Sequence, residues 1–232
     1  MLTIPGGVCL YFADNSDDIV VLDPHSAGQM TSKLPTGPYT RYFLWLLLAL
    51  PFFWMTNAFR AGDLFYGEII HVSGEFSARL LMITLAVTPL RLMFSNAGWP
   101  NWLLHQRRYF GVASFAYAVL HTLVYLNHKG SAGLVVEEAA EFSMWTGWLA
   151  LAIFIALAAT SNDVSVRRLR RRWKKLHRWV YAAALLAFAH WIFIAFDFVP
   201  GLIHFVLLLL LESYRLWKRR TMKRLARSTE KG

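Results

Sequence analysis

Six apolar segments, each near the length that spans a lipid bilayer, follow one another along most of this chain. Inside the hydrocarbon core only a helix or a closed barrel satisfies every backbone hydrogen-bonding group, and a crossing helix needs ~20 apolar residues. The sequence therefore predicts an all-α fold, a polytopic membrane bundle of six helices. The segments run from about Tyr42 to Phe59, His71 to Phe94, Tyr109 to Asn127, Phe142 to Thr160, His177 to Phe196 and Gly201 to Trp217.

The composition is that of a membrane protein rather than a soluble one. Hydrophobic residues make up 56% of the chain and charged residues 16%, a balance typical of polytopic membrane proteins. The net charge of +10 would suggest nucleic acid in a soluble protein, but here the cations stand mainly in short stretches between apolar segments. We therefore expect no nucleic-acid partner. The single cysteine, Cys9, excludes an internal disulfide and a cysteine-based metal cluster.

The basic residues occupy alternate connections between the segments. Arginine and lysine crowd the connections after the second and fourth segments and the C-terminal tail, whereas the other connections are mainly acidic. By the positive-inside rule, this alternation predicts that both termini are cytoplasmic and that the acidic connections face outward. The membrane lipid is thus one expected partner, and binding of anionic lipid by the basic stretches is the alternative to a role as topology signals.

Composition also divides the chain into three parts. Residues 1–41 mix glycine, proline, aspartate and serine without a sustained period, which predicts a poorly ordered N-terminal tail. Residues 42–217 are expected to form the six-helix domain, and residues 218–232 a basic cytoplasmic tail. Met30 is a second suitable start, so the sequence leaves open whether residues 1–29 belong to the native protein.

Two histidines are predicted to lie at the same depth inside the bundle. With a rise of ~1.5 Å per residue, His121 lies ~20 Å along the third segment and His190 ~20 Å along the fifth, counted from the cytoplasmic side. An ionisable group at that depth is costly and usually faces a partner in the bundle interior. Imidazole is also a common axial ligand of haem iron. The spacing predicts a haem held between these two histidines, and the alternative is a pair of buried polar groups that bond each other.

Four further residues are candidates for a cofactor site. His177 precedes His190 by thirteen residues, which places the two ~140° apart around a straight helix, so it is either a ligand of a separate site or an interfacial histidine. His71 lies ~10 Å nearer the outer surface and is an axial ligand, a propionate partner or an interfacial residue. Arg107 and Arg108 are expected to hold propionates or the anionic headgroup of a flavin or quinone on the inner side.

These histidines stand in a sequence context that resembles the ferric-reductase-like transmembrane domain family, and within it the MsrQ (YedZ) haem-binding subunits. The similarity covers about residues 42–217. It is carried by His71-Val-Ser-Gly74, by Leu80 followed by Thr88-Pro89-Leu90, by Arg107-Arg108-Tyr109-Phe110-Gly111 before Leu120-His121, and by Leu176-His177-Arg178-Trp179-Val180-Tyr181 before His190.

The resemblance implies a six-helix bundle that binds haem b, with FMN as an additional cofactor, in the inner (cytoplasmic) membrane of a bacterium. It implies that electrons pass from the quinone pool or a flavin reductase to a periplasmic molybdenum-containing subunit (MsrP-like), which reduces methionine sulfoxide in oxidised proteins. The chain would then be a non-catalytic electron-transfer subunit. His121, His177 and His190 match the family's haem-associated histidines, and His71 matches a further one. Arg107 stands where two-haem relatives carry a histidine, so the haem number, one or two, stays open.

Two other functions fit the same residues. A ferric or other metal reductase, or an oxidase-like haem protein, would pass the electrons directly to metal or oxygen. A non-redox transporter would use the intramembrane histidines for protons or metal. The sequence contains no GxGxxG, P-loop, HExxH or GxSxG motif, so any electrons must come from a partner, a quinone or a loosely held flavin.

Overall fold

The computed structural model describes residues 2–4, 8–12, 19–22 and 38–229. The chain divides into two compact units, residues 1–34 and residues 35–232. In the first unit, β1 (Leu2–Ile4), β2 (Val8–Phe12) and β3 (Ile19–Leu22) form an antiparallel sheet in the order β1-β2-β3. Most residues of these strands are aliphatic or aromatic, as is usual for a pleated surface. The predicted division at residues 41 and 217 stays a prediction.

The described part of the second unit consists of nine helices joined by short connections, so the predicted all-α fold is confirmed for residues 38–229. The first and last helices extend beyond the predicted apolar segments into the regions assigned to the tails. The helices are α1 (Pro38–Ala61), α2 (Tyr66–Met93), α3 (Trp99–Lys129), α4 (Ala132–Ala139), α5 (Phe142–Ala159), α6 (Asp163–Leu169), α7 (Arg171–His177), α8 (Val180–Ile194) and α9 (Val199–Thr229).

Each predicted apolar segment coincides with one helix, namely α1, α2, α3, α5, α8 or α9. Among the described residues, all of these except α8 are long and apolar enough to cross a membrane, which gives five candidate spans. α8 is shorter, at 15 residues. The count of six spans and the cytoplasmic position of both termini therefore stay predictions.

α2 is the central helix of the second unit. Half of its apolar window is buried, against 11% for α9. One face packs with α1 and α3 around Met55 and Tyr117, and another packs with α5, α8 and α9 around Leu85 and Phe188. The outer helices leave large apolar side chains exposed, as expected of surfaces that face lipid.

α2 and α3 are joined by a reciprocal pair of hydrogen bonds. The hydroxyl of Ser77 donates to the carbonyl of Ser114 at 2.9 Å, and the hydroxyl of Ser114 donates to the carbonyl of Ser77 at 2.8 Å. Both serines are buried. Small hydroxyl residues allow two membrane helices to approach closely while satisfying each other's polar groups. This contact fixes the height of α3 against α2, and with it the height of His121.

Candidate cofactor site

The structure brings the side chains of His121 on α3 and His190 on α8 close together across the space between the two helices. Their ring centroids are 6.1 Å apart and the ring planes are nearly perpendicular, at 88°. The pairing arises because α3 and α8 both pack beside α2, each carrying its histidine to the same level. The juxtaposition expected from helical rise is therefore present.

A backbone carbonyl from a neighbouring helix orients each ring. His121 Nδ1 lies 2.8 Å from the carbonyl oxygen of Ile70 on α2, and His190 Nδ1 lies 2.7 Å from that of Ser143 on α5. A carbonyl oxygen only accepts, so each Nδ1 carries the hydrogen and donates it. In the neutral ring, Nε2 then carries no hydrogen and presents a free lone pair, which is the form in which imidazole binds a metal.

The ring separation suits one metal ion between two imidazoles. An imidazole nitrogen binds a metal at ~2 Å and lies ~1 Å from its own ring centroid, which places two opposed centroids ~6 Å apart. Direct bonding between the rings is disfavoured, because both Nδ1 hydrogens are committed to carbonyls and two bare Nε2 atoms have no hydrogen to share. The donor set therefore fits axial ligation better than the alternative of two mutually bonded histidines.

The two histidines line a cavity of about 680 Å³, within the ~300–1,000 Å³ usual for cofactor pockets. Its wall is mainly apolar and includes Ala78 and Phe154. Trp148 and Trp191 also line it, and the buried Nε1 of each lacks a hydrogen-bond partner among the described residues. An indole N–H is only a donor, so both fit an anionic group such as a carboxylate.

His71 lies at the same cavity, but its ring has a different environment. Its side chain is 47% exposed, with Nε2 3.4 Å from a carboxylate oxygen of Glu75. Glu75 in turn pairs with Arg79 at 2.8 Å. The structure thus places His71 at the cavity within a charged row on α2.

His177 is not among the described residues that line the cavity. Its Nε2 lies 3.1 Å from the hydroxyl of Thr160, and its ring stacks on Trp173 with centroids 3.9 Å apart. Trp173 also donates its indole hydrogen to the carbonyl of Thr160 at 2.9 Å. His177 therefore belongs to a separate cluster between α5 and α7.

Arg107 and Arg108, the two arginines predicted to hold an anionic group, lie near this second cluster. Arg108 binds Asp163 of α6 at 2.7 Å. Its guanidinium donates a hydrogen bond to that carboxyl and holds the pKa of Asp163 below its usual range. The charge of Arg107 lies within electrostatic reach of His177 and Glu212.

Sequence reasoning missed a polar group at another part of the cavity wall. Tyr125 donates to Glu138 at 2.8 Å, and Lys129 pairs with the same carboxylate. Hydrogen bonds from Lys129 and then Tyr125 lower the pKa of Glu138 on α4. All three line the cavity. The available signal was Lys129, the one cation in an otherwise acidic connection.

These features define a class, the multi-pass helical membrane proteins with a paired-histidine cavity between their helices. Residues 73–189 match the family model described as "Ferric reductase like transmembrane component". The chain belongs to the ferric reductase-like transmembrane family, which confirms the resemblance read from the motifs and the multi-pass membrane location.

Several bacterial proteins similar to this chain share the name "Protein-methionine-sulfoxide reductase heme-binding subunit MsrQ". The protein from Xanthomonas campestris pv. campestris (strain B100) is 36% identical over 161 residues, which are 68% of this chain and 72% of that protein. The Ralstonia nicotianae protein is 34% identical over 189 residues, 76% of this chain and 84% of that protein. The Rhizobium meliloti protein is 38% identical over 126 residues, 53% and 56% of the two chains.

Proposed function

We propose that this chain is a haem-binding membrane subunit that carries electrons to a methionine sulfoxide reductase. The observation that supports it most is the pair of imidazoles 6.1 Å apart, each oriented by a carbonyl of a neighbouring helix. The relatives' names give the haem and the reductase system. Reduction of the sulfoxide itself would take place on the partner, so this subunit is non-catalytic. Direct reduction of metal or oxygen and non-redox transport have no comparable support.

A haem b in this cavity would be held by the imidazoles of His121 and His190. Bound haem supplies a one-electron carrier whose potential depends on its ligands, their hydrogen bonds and burial. The chain orients the imidazoles, and its apolar wall excludes water. The unpartnered indole N–H groups of Trp148 and Trp191 and the ring of His71 are proposed to meet the haem propionates.

The proposed direction of transfer is from the cytoplasmic side outward across the bacterial inner membrane. The donor is the quinone pool or a flavin reductase, and the acceptor is a periplasmic molybdenum-containing subunit (MsrP-like). Arg107 and Arg108 are proposed to attract the anionic headgroup of FMN or a quinone on the inner side. The position of His177 near the charge of Arg107 supports a role in that inner site, either as a ligand of a second haem or as a neighbour of the donor.

The spectrum of the purified protein tests this proposal. The wild type in detergent or nanodiscs should give the reduced-minus-oxidised spectrum of low-spin, bis-imidazole haem, with haem quantified per chain. His121→Ala and His190→Ala should each abolish that spectrum. His105→Ala is the matched control, because His105 lies on α3, is not among the described cavity-lining residues and bonds Asn101 of its own helix at 2.7 Å.

Three outcomes would contradict the proposal. One is a haem-free wild type from haem-replete cells, and another is an unchanged low-spin spectrum in His121→Ala. A third concerns the inner cluster. His177→Ala should leave the His121–His190 haem signal largely intact, and loss of all haem in that variant would contradict the separation of the two sites.

A further inference from the structure

Two short stretches on different helices make the same contacts with the two facing histidines. On α2 the stretch is Ile70–Gly74, of sequence IHVSG, and on α5 it is Ser143–Gly147, of sequence SMWTG. Each begins with the residue whose carbonyl binds a histidine Nδ1, and each ends in a hydroxyl residue followed by glycine. The helix pair α2–α3 and the helix pair α5–α8 therefore repeat one arrangement.

In both stretches the same carbonyl accepts a second hydrogen bond. The hydroxyl of Ser73 donates to the carbonyl of Ile70 at 3.0 Å, and that of Thr146 donates to the carbonyl of Ser143 at 2.7 Å. Ser73 and Thr146 are 0% and 1% exposed. A carbonyl oxygen has two lone pairs, and a second donor weakens what it offers to the first. Each hydroxyl thus moderates the bond that its carbonyl makes to the histidine.

The glycine of each stretch lies directly against the ring. A Cβ built on Gly74 would lie 3.0 Å from Nδ1 of His121, and one on Gly147 would lie 2.8 Å from Nδ1 and Cε1 of His190. Gly111, on α3, is not among the described residues that line the cavity, and a Cβ built there would lie 3.7 Å from Cγ2 of Thr84, an ordinary van der Waals distance. A side chain at Gly74 or Gly147 would displace the imidazole, whereas a methyl group at Gly111 fits without a clash. The rings can approach their carbonyls only because these two positions are glycine.

We infer that Ser73–Gly74 and Thr146–Gly147 are two equivalent clamps that position the two haem-ligating imidazoles and adjust their electron donation. The inference rests on the proposed function, because the ligand role of the imidazoles comes from it. The glycine sets where the ring lies, and the hydroxyl sets how strongly the carbonyl pulls on the Nδ1 hydrogen. A stronger pull makes the imidazole more basic, which favours oxidised iron and lowers the midpoint potential.

The test compares haem content, the low-spin spectrum and the midpoint potential of purified variants. Gly74→Ala and Gly147→Ala should each lose low-spin haem, with haem affinity lower by ~10-fold or more, the range known for residues that support metal ligands. Gly111→Ala is the matched control and should behave as the wild type. Thr146→Val keeps the side-chain shape but removes the hydroxyl, so it should retain haem with a more negative midpoint potential. Thr146→Ser should restore the wild-type value.

The outcomes separate the clamps from the proposed function. If wild type and Gly111→Ala bind low-spin haem, and Gly74→Ala and Gly147→Ala match them in spectrum and potential, the proposed clamps are wrong and the proposed haem site stands. Equal potentials in wild type, Thr146→Val and Thr146→Ser would also overturn the hydroxyl's role. Should the glycine variants fail to fold, the two threonine variants decide. A wild type without haem overturns both proposals.

Discussion

An imidazole buried among membrane helices needs a partner for its N–H group, and the source of that partner decides where the ring can point. His105 and His204 bond carbonyls one turn back on their own helices, those of Asn101 and Pro200. Such a ring lies along its own helix. His121 and His190 bond carbonyls of neighbouring helices instead. Their rings therefore cross the space between helices, and that is the position a shared cofactor requires.

His71 illustrates the difference at a third position. Its Nε2 lies 3.4 Å from a carboxylate oxygen of Glu75 on its own helix, and its side chain is about half exposed, so it lacks the interhelical support of the facing pair. We predict that His71→Ala keeps the low-spin spectrum and the haem content, with at most a shift in midpoint potential from the loss of a polar ring near the proposed propionate position. Absorption spectra and a redox titration of the purified variant measure this. Loss of the low-spin signal, as in His121→Ala, would instead make His71 an axial ligand.

At the level of the helices, the hydroxyl of Tyr117 on α3 supplies hydrogen bonds where the backbone hydrogen bonding of α1 is interrupted near Pro51. Pro51 has no backbone N–H, and at the next residue the Phe52 N–H donates to the Tyr117 hydroxyl at 3.1 Å. The same hydroxyl donates to the carbonyl of Leu48 at 2.7 Å. A side chain inserted into the backbone ladder is a usual cause of helix distortion. The insertion also ties α1 to the bundle through a buried contact.

Tyr117→Phe should therefore loosen α1 without altering the histidine pair. Removing the hydroxyl leaves one donor and one acceptor of α1 unpaired in an environment without water, and interhelical hydrogen bonds in membrane proteins contribute ~0.6 kcal/mol on average and up to ~1.7. We expect a loss of ~1 kcal/mol, measured by unfolding in SDS–detergent mixtures, and an unchanged haem spectrum. Tyr42→Phe is the control, because that side chain is 73% exposed. Equal unfolding midpoints for both variants would show that the insertion does not stabilise the bundle.

For the whole molecule, hydropathy and helical rise predicted much of the second unit. They located the helices α1, α2, α3, α5, α8 and α9 and the common depth of His121 and His190, because transfer free energy and rise per residue are properties of the chain itself. They gave no information on lateral packing, so the carbonyls of Ile70 and Ser143 were not foreseen. The short helices α4, α6 and α7 were not predicted, because they are not apolar segments of spanning length. For His177 the spacing left a ligand of a separate site and an interfacial residue as alternatives, and the structure places that residue in a cluster apart from the cavity.

Among the helices that match the predicted apolar segments, α8 is the shortest. Whether it crosses the membrane decides the topology of the chain. Its 15 residues extend ~22 Å, less than the ~30 Å hydrocarbon core. The helix before it, α7, is basic and adds no apolar length. The prediction that α8 crosses depends on its flanks, because the positive-inside rule predicts opposite sides for the basic connection before it and the acidic one after it.

Cysteine labelling of intact spheroplasts tests that topology. In a Cys9→Ser background, the exposed positions Glu137, Arg168 and Asp197 are changed singly to cysteine. A membrane-impermeant maleimide should label Glu137→Cys and Asp197→Cys, because both follow outward crossings, and should leave Arg168→Cys unlabelled until the membrane is opened with detergent. A permeant maleimide, which should label all three, controls for reactivity. If Asp197→Cys behaved like Arg168→Cys, α8 would not cross, and the facing histidines could not both be reached by parallel helices from the cytoplasmic side.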